Sequence, residues 1–440
     1  MPSPISNMRR SAITAGAAAG GHALFVIALS LLLTFAAAAR AFAGPMVVFD
    51  AATRQVLFAE RAGEPWYPAS LTKLMTAYLT FSALRSGALR LDQEIPVSET
   101  ASKPPPSKIG MPPGSTIKVD LALSALLVHS ANDMAVVLAE AVGGNEQNFV
   151  AEMNRTARRL GMNATNFANP HGLHDERQVT TARDMGLLAA AILREFPEFG
   201  HYFSEPYMQL GKTRLRNRNM LLRQMAAANG MKTGYICDSG FNLVASATID
   251  GRKLVAVVMG AKSAKARADL AQVLLEAAAA TAGKPSEGKV LELPHIPNLP
   301  IGTRPPQNMR GVVCSGGERV ALASPGDLRG WGVSLGRFGD SLSADAILEG
   351  RLLTSREFVS GGRSGVIRGP TKDFLALMWS MPATETLTLC THLRRQNAHC
   401  EVIPPEAMAK LSTQVRPAGG KPVPIPKPKP RKNEPATAHE

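Results

Sequence analysis

The stretch PASLTKLMTAYL, residues 68–79, decides how the chain is interpreted. Its apolar side chains recur at i, i+3, i+4, i+7 and i+8, which is the pattern of a helix with one buried face. These side chains are Leu71, Leu74, Met75, Tyr78 and Leu79. Residues three apart share one face of a helix, so the amine of Lys73 is predicted to lie beside the hydroxyl of Ser70.

A serine hydroxyl becomes a good nucleophile only when a base takes its proton. Lys73 can be that base if its pKa falls well below the free value of about 10.4. Burial and a second cation nearby both lower a lysine pKa. Ser70 is also predicted to lie in the first helical turn, where free N–H groups favour negative charge. By itself Ser-x-x-Lys is weak evidence, because it occurs by chance on many helices.

Two further polar elements follow in the chain. Ser130 and Asn132 interrupt the apolar stretch LLVHSANDMAVVLAEA, and buried polar groups need partners or a role. Ser130 can relay a proton to a leaving amine, and Asn132 can hold a substrate peptide. Lys232 supplies a second cation and, with Thr233, can bind a carboxylate. Gly234 has no side chain, so a substrate backbone can approach the strand edge closely.

The order Ser-x-x-Lys, Ser-x-Asn, Lys-Thr-Gly is the signature of penicillin-binding proteins and serine β-lactamases. Residues 44–275 closely resemble the low-molecular-mass penicillin-binding proteins, which are serine-type D-alanyl-D-alanine carboxypeptidases of the peptidase S11 family. The matching stretches begin at Pro68 (PASLTKLMT), Ser130 (SAND), Asn169 (NPHGL), Gly230 (GMKTGY), Gly240 (GFNLVASA) and Val258 (VMGAK).

The resemblance implies a role for each matching residue. Ser70 forms an acyl-enzyme after Lys73 accepts its proton, and Lys232 binds the terminal carboxylate of the substrate. The implied oxyanion hole consists of the backbone N–H groups of Ser70 and Tyr235. The implied catalytic residues are Ser70, Lys73 and Ser130, and the implied substrate-binding residues are Asn132, Lys232, Thr233, Gly234 and Tyr235. No metal or cofactor is expected.

The implied reaction removes the terminal D-alanine from peptidoglycan pentapeptide stems, with a role in cell wall biogenesis and cell shape. The implied partners are these stem peptides and β-lactam antibiotics, which bind covalently. A serine β-lactamase, a D,D-endopeptidase and a non-catalytic peptidoglycan-binding protein are the alternatives. A β-lactamase needs an efficient deacylation base, and neither Glu176 nor Glu195 lies in a recognisable setting for one. His171 is interpreted as part of a turn, and Arg267 either steers the substrate carboxylate or is a solvated helix residue.

The order of elements predicts an α+β domain over residues 44–283. Strands at 46–49 and 56–58 come first, helices at about 120–142 and 181–194 follow, and a hairpin around Asp250-Gly251 precedes a helix at 264–280. This pattern indicates an antiparallel sheet whose strands come from both ends of the domain, with a helical cluster. The resemblance implies a β-lactamase/transpeptidase-like fold.

A second, smaller module is predicted beyond a Pro/Gly-rich linker at 284–328. Residues 329–405 indicate strand 331–338, helix 343–353, strand 358–367, an unassigned middle, helix 385–395 and strand 400–403. The module resembles the sporulation-related (SPOR) domain, an α+β, ferredoxin-like fold, which implies binding to denuded glycan strands. A stalk that holds the enzyme away from the membrane is the alternative. Residues 406–440 are predicted to be a disordered tail rich in Pro and Lys.

The N-terminus predicts export. Arg9 and Arg10 precede an apolar run at 23–39 and a small-x-small site, so residues 1–43 are interpreted as a signal peptide, with an uncleaved membrane anchor as the alternative. The chain is then periplasmic or in the cell envelope, where cysteines form disulfides, and Cys390 with Cys400 is a plausible pair. Aromatic residues make up only 5% of the 440 residues, which argues against a nucleic-acid partner. The net charge of +14 is attributed mainly to solvated faces and the basic tail.

Overall fold

A computed structural model describes residues 44–281, 290–315, 320, 322–414 and 423–424. The predicted signal peptide or anchor, residues 1–43, lies outside these ranges, and so does most of the predicted tail. None of the helices in the described ranges has the length and apolar character that a bilayer span requires.

The helices and strands form two lobes. The strands are β1 Met46–Asp50, β2 Val56–Glu60, β3 Glu94–Pro96, β4 Thr116–Lys118, β5 Tyr207–Leu210, β6 Thr213–Arg216, β7 Ala228–Ile236, β8 Gly240–Ile249, β9 Arg252–Ala261, β10 Trp331–Phe338, β11 Arg363–Arg368, β12 Phe374–Met381, β13 Glu401–Ile403 and β14 Val423–Pro424. The helices are α1 Lys73–Arg85, α2 Glu99–Ser102, α3 Val119–Ser124, α4 Asn132–Gly143, α5 Glu146–Arg159, α6 Ala182–Glu195, α7 His201–Ser204, α8 Leu221–Gln224, α9 Ala264–Thr281, α10 Arg310–Val313, α11 Ser341–Thr354, α12 Ala383–Arg395 and α13 Pro405–Gln414.

The sheet of the first lobe has five antiparallel strands in the order β2-β1-β9-β8-β7. Its strands come from both ends of the lobe, which confirms the predicted α+β arrangement. Asp250 and Gly251 connect β8 to β9 with positive φ angles of 50° and 76°, as a tight hairpin turn of this kind requires. Alternate residues of β1 pack against α9 and against the helical cluster, so both faces of the sheet are buried. The arrangement leaves β7 at the edge of the sheet.

The prediction of one continuous helix at about 120–142 is wrong. α3 ends at Ser124, the next five residues form a π-helical turn, and Ser130 adopts left-handed dihedral angles, φ 66° and ψ 36°. α4 begins only at Asn132, whose backbone N–H donates to the carbonyl oxygen of Ser107 at 2.7 Å. The apolar pattern continues across this break because both sides are buried, so the sequence pattern does not reveal it.

The second lobe has the succession β10-α11-β11-β12-α12-β13, which is that of ferredoxin-like folds. Its sheet order is β13-β10-β12-β11-β14. The central strand, β12, occupies the part of the module that the sequence leaves unassigned. The strand predicted at 358–367 is shorter in the structure: residues Arg356–Phe358 form a 3-10 turn, and β11 begins at Arg363. The sequence places the start of a disordered tail at residue 406, whereas residues 405–414 form α13, which the buried Met408 anchors to the sheet.

Helices α9 and α11 join the two lobes, which belong to one compact unit. Gly350 permits a close approach, since a Cβ at this position would lie 2.7 Å from Cγ1 of Val273. An ion pair of 2.8 Å between Lys262 and Asp345 lies beside this contact. α9 therefore packs on the sheet of the first lobe and on a helix of the second.

Two disulfides lie in the described ranges. The predicted pair Cys390–Cys400 is confirmed and joins α12 to the start of β13. Cys237–Cys314 joins the end of β7 to a segment that the sequence assigns to the linker. This segment is packed on the first lobe, where Leu293 is fully buried in the core.

Candidate active site

Ser70 lies in a 3-10 turn, Ala69–Thr72, immediately before α1. Two glycines allow other segments to approach this turn. A Cβ on Gly172 would lie 1.9 Å from the carbonyl oxygen of Ala69, and a Cβ on Gly234 would lie 2.8 Å from that of Pro68. Gly234 thus makes room for the turn that carries Ser70, and it also lines the cavity described below. The close approach of a substrate backbone to Gly234 stays a prediction.

Lys73 lies beside Ser70 as the spacing predicts. Its fully buried amine donates to Ser70 Oγ at 3.0 Å, to Asn132 Oδ1 at 2.7 Å and to the carbonyl oxygen of His171 at 2.6 Å. Burial lowers the pKa of Lys73 to about 7, against the opposing effect of the negative charge of Asp133. A large share of this amine is therefore neutral at neutral pH and can accept the proton of Ser70.

A second buried amine, that of Lys232, lies beside Ser130. It donates to Ser130 Oγ at 2.9 Å and to the carbonyl oxygen of Thr233 at 2.9 Å. Burial, and then the positive charge of Lys73, lower the pKa of Lys232 well below its usual value. The two amines of the site thus each contact one serine hydroxyl, and the charge of a protonated Lys73 disfavours the protonated form of Lys232.

The side-chain amide of Asn132 fixes the position of Lys73. Its Oδ1 accepts from Lys73, and its Nδ2 donates to the carbonyl oxygen of Pro105 at 2.8 Å. The neighbouring Asp133 is buried and accepts from the backbone N–H groups of Ile109 and Gly110 at 3.1 and 2.9 Å. The start of α4 therefore holds both the base and the loop at 105–110 that borders the site.

Ser70, Ser130 and Asn132 open onto a cavity of about 270 Å³ at the edge of β7. The lining residues are Ser70, Pro106, Ser107, Ser130, Asn132, Gly172, Leu173, Arg218, Thr233, Gly234, Tyr235, Ile236, Phe241, Ala264 and Arg267. None of these residues carries a carboxylate, and two are arginines. The lining is therefore suited to a ligand with a negative charge.

The two arginines that line the cavity are Arg267, which the sequence singles out, and Arg218, which it does not. Arg267 is buried in the first turn of α9, and its Nη1 donates to the carbonyl oxygen of Asn242 at 3.1 Å, so it is not a solvated helix residue. Arg218 is missed by sequence reasoning because it lies in an irregular segment between two motifs. Its Nε donates to the carbonyl oxygen of His129 at 3.1 Å, which places the guanidinium next to Ser130.

His171 has a structural role, which agrees with its interpretation as part of a turn. Its carbonyl oxygen accepts from Lys73, and its Nδ1 accepts from the backbone N–H of Leu173 at 3.1 Å. Burial, with the charge of Lys73, lowers the pKa of His171 to about 3. Glu176 is exposed and Glu195 accepts a hydrogen bond from Tyr78, so neither glutamate lies in the cavity.

Comparisons with known proteins identify what the chain is similar to. Residues 34–263 match the family model of the D-alanyl-D-alanine carboxypeptidases, Peptidase S11. The chain is 37% identical to D-alanyl-D-alanine carboxypeptidase DacA of Haemophilus influenzae over 235 residues, 52% of this chain and 60% of that protein. It is 35% identical to DacC of Escherichia coli over 277 residues, 60% of this chain and 68% of that protein. The crystal structure of penicillin binding protein 5 from Haemophilus influenzae superposes with a TM-score of 0.52 at 37% identity, covering 53% of this chain and 70% of that one. The chain thus spans about 60% of the length of the first of these relatives.

Proposed function

Because the chain belongs to the D-alanyl-D-alanine carboxypeptidase family, Peptidase S11, we propose that it removes the terminal D-alanine from peptidoglycan pentapeptide stems. The observation that carries the proposal is the 3.0 Å contact between Ser70 Oγ and the amine of Lys73. The same amine is buried, with its pKa lowered to about 7, so it is poised to act as a base.

In the proposed reaction the stem peptide binds along the free edge of β7, and its terminal carboxylate lies near Lys232 and Thr233. Main-chain pairing to an edge strand gives affinity for an extended peptide. Arg218 and Arg267, which line the same cavity, add positive charge on the carboxylate side. This arrangement selects a substrate that ends in a free carboxylate.

Acylation starts when Lys73 takes the proton of Ser70 and Oγ attacks the carbonyl carbon between the two D-alanines. The negative charge on the carbonyl oxygen is held by the backbone N–H groups of Ser70 and Tyr235. The C–N bond then breaks as Ser130, in contact with Lys232, protonates the leaving amine. Ser130 is reprotonated with the proton that Lys73 took from Ser70, which leaves the Lys73 amine neutral. Water hydrolyses the ester on Ser70, with Lys73 again as the base, and restores the enzyme.

A β-lactam is proposed to acylate Ser70 by the same steps, since its ring amide takes the place of the scissile peptide. The family supports the carboxypeptidase over the alternatives, and a β-lactamase is further disfavoured by the cavity lining. No carboxylate lies among the described residues that line the cavity, so this lining offers no glutamate to activate the deacylating water. The expected product of a penicillin is therefore a long-lived adduct.

The second lobe is proposed to bind denuded glycan strands, and the protein to act in the periplasm or cell envelope in wall biogenesis and cell shape. The ferredoxin-like succession of its elements supports the resemblance to a SPOR domain. Two disulfides in the described ranges and the apolar N-terminal segment of the sequence support export. Pull-down of purified glycan strands by the intact protein tests the proposed glycan binding.

Mass spectrometry after incubation with benzylpenicillin tests the catalytic proposal. One penicillin adduct is expected on the peptide that contains Ser70, and D-alanine release is expected from a pentapeptide stem. Both are lost in Ser70→Ala, whereas Ser86→Ala, at the exposed end of the same helix, retains both. An adduct of full stoichiometry on Ser70→Ala would show that another residue is the nucleophile.

A further inference from the structure

The direction of the substrate follows from the proposed function, on which this inference rests. The terminal carboxylate lies at Thr233 and the scissile carbonyl at Tyr235, so the residues before the D-alanines must continue past Ile236. The strand ends there, and Cys237 and Asp238 form the turn into β8. Side chains at this turn are therefore expected to contact the part of the stem peptide that precedes the two D-alanines.

A short segment, Asn308–Cys314, is fixed at this turn. Cys314 is bonded to Cys237, and the backbone N–H of Met309 donates to the carbonyl oxygen of Asp238 at 3.0 Å. Asn308 Nδ2 donates to Asp238 Oδ1 at 2.8 Å. One covalent bond and several hydrogen bonds thus hold the segment beside the mouth of the cavity.

Arg310 is the cation of this segment. Its Nε and Nη2 donate to the two carboxylate oxygens of Asp238 at 3.1 and 2.8 Å. The carboxylate is almost fully buried, whereas the arginine side chain is 59% exposed. A guanidinium has five N–H donors in a rigid fork, so this pair orients the group and leaves N–H groups facing solvent.

Tyr235 forms the floor of the same region. Its ring stacks on Phe241 with 4.2 Å between centroids, its side chain is 42% exposed, and it lines the cavity. Its hydroxyl lies 3.0 Å from Sγ of Cys314. The disulfide therefore positions both the aromatic ring and the segment that carries Arg310.

We propose that Tyr235 and Arg310 form a subsite for the acidic part of the stem peptide that precedes the two D-alanines. The ring packs against the alkyl portion of the residue next to the scissile unit. The guanidinium binds a free carboxylate farther upstream. Cys237–Cys314 is the brace that keeps both groups at the cavity mouth.

Steady-state kinetics with two substrates tests the subsite. One is a pentapeptide stem with its free upstream carboxylates, and the other is a short, blocked, uncharged peptide that ends in the same two D-alanines. In Arg310→Gln the KM for the acidic peptide is expected to rise about two- to five-fold, the effect of losing one exposed ion pair, with kcat unchanged. The KM for the uncharged peptide stays the same, and Arg310→Lys, which keeps the charge without the fork, is expected to retain part of the selectivity.

Arg304→Gln is the matched control, because Arg304 precedes the segment by four residues, is 66% exposed and pairs with a carboxylate, that of Glu64, at 3.8 Å. Neither KM changes in this variant. The selectivity of the wild type also weakens at high salt, as expected for an exposed charge. Thermal melting confirms that each variant is folded.

Equal losses on both substrates, or no change on either, overturn the subsite while leaving the carboxypeptidase assignment intact. If the wild type releases D-alanine from neither peptide, the proposed function itself fails. A joint replacement, Cys237→Ser with Cys314→Ser, is expected to raise the KM for the acidic peptide at least as much as Arg310→Gln, because it releases both Tyr235 and the segment that carries Arg310. A disulfide variant that keeps full selectivity shows that the brace does not position these groups.

Discussion

Acylation of Ser70 is expected to follow the neutral fraction of Lys73 and therefore to depend on pH around neutrality. With a pKa of about 7 instead of 10.5, half of the Lys73 amines are neutral at pH 7. An unperturbed lysine would be neutral in only about one molecule in three thousand at that pH. The second-order rate constant for acylation is thus expected to fall about tenfold per pH unit well below pH 7 and to level off above it.

Asp133→Asn tests the cause of this profile. The charge of Asp133 raises the pKa of Lys73, so its removal is expected to move the midpoint to lower pH, by an amount of about half a pH unit. About a quarter of the amines would then be neutral at pH 6, against about a tenth in the wild type. The variant is therefore expected to acylate about two- to threefold faster than the wild type at pH 6.

Stopped-flow or gel measurements with a fluorescent penicillin between pH 5 and pH 9 provide the assay. Asparagine keeps one acceptor oxygen for the loop at 105–110, and melting curves check that the fold is retained. Asp92→Asn, which removes an exposed carboxylate paired with Arg90, is the control and leaves the midpoint unchanged. A flat profile from pH 5 to pH 8, or a midpoint that rises in Asp133→Asn, refutes a neutral Lys73 as the base.

Three further outcomes are expected. Gly172→Ala places a Cβ against the turn that carries Ser70 and is expected to lower penicillin acylation by about a hundredfold or more, whereas Gly87→Ala, with a similar positive φ and open space, leaves the rate unchanged. Joint replacement of Cys237 and Cys314 by serine opens a loop of 77 residues and is expected to cost about 4 kcal/mol of unfolding free energy, measured by denaturant titration without reductant. Gly350→Val wedges the two lobes apart and is expected to speed release of the second lobe in limited proteolysis while acylation stays normal, and an unchanged cleavage rate would contradict the packing described at this helix contact.

Much of the site could be predicted because its elements are local. The i, i+3 spacing of Ser70 and Lys73 alone brings them to one face, and the Asp-Gly dipeptide alone favours the β8–β9 hairpin. The break within the predicted helix at 120–142 could not be predicted from local sequence. A π-helical turn and a left-handed Ser130 are set by packing on both sides, and neither changes the apolar pattern of the sequence.

The amino-acid sequence by itself determined the order of strands and helices at the ends of the first lobe, the three polar elements and the type of each reactive group. Those properties depend on backbone periodicity and on side-chain chemistry, which neighbouring residues settle. Only the tertiary structure decided that the Lys73 amine is buried deeply enough for its pKa to fall to about 7, that Arg218 lines the cavity and that Cys237 bonds to Cys314. Each of these depends on groups that are distant in the chain, because solvent exclusion and contact between remote segments arise only when the chain folds.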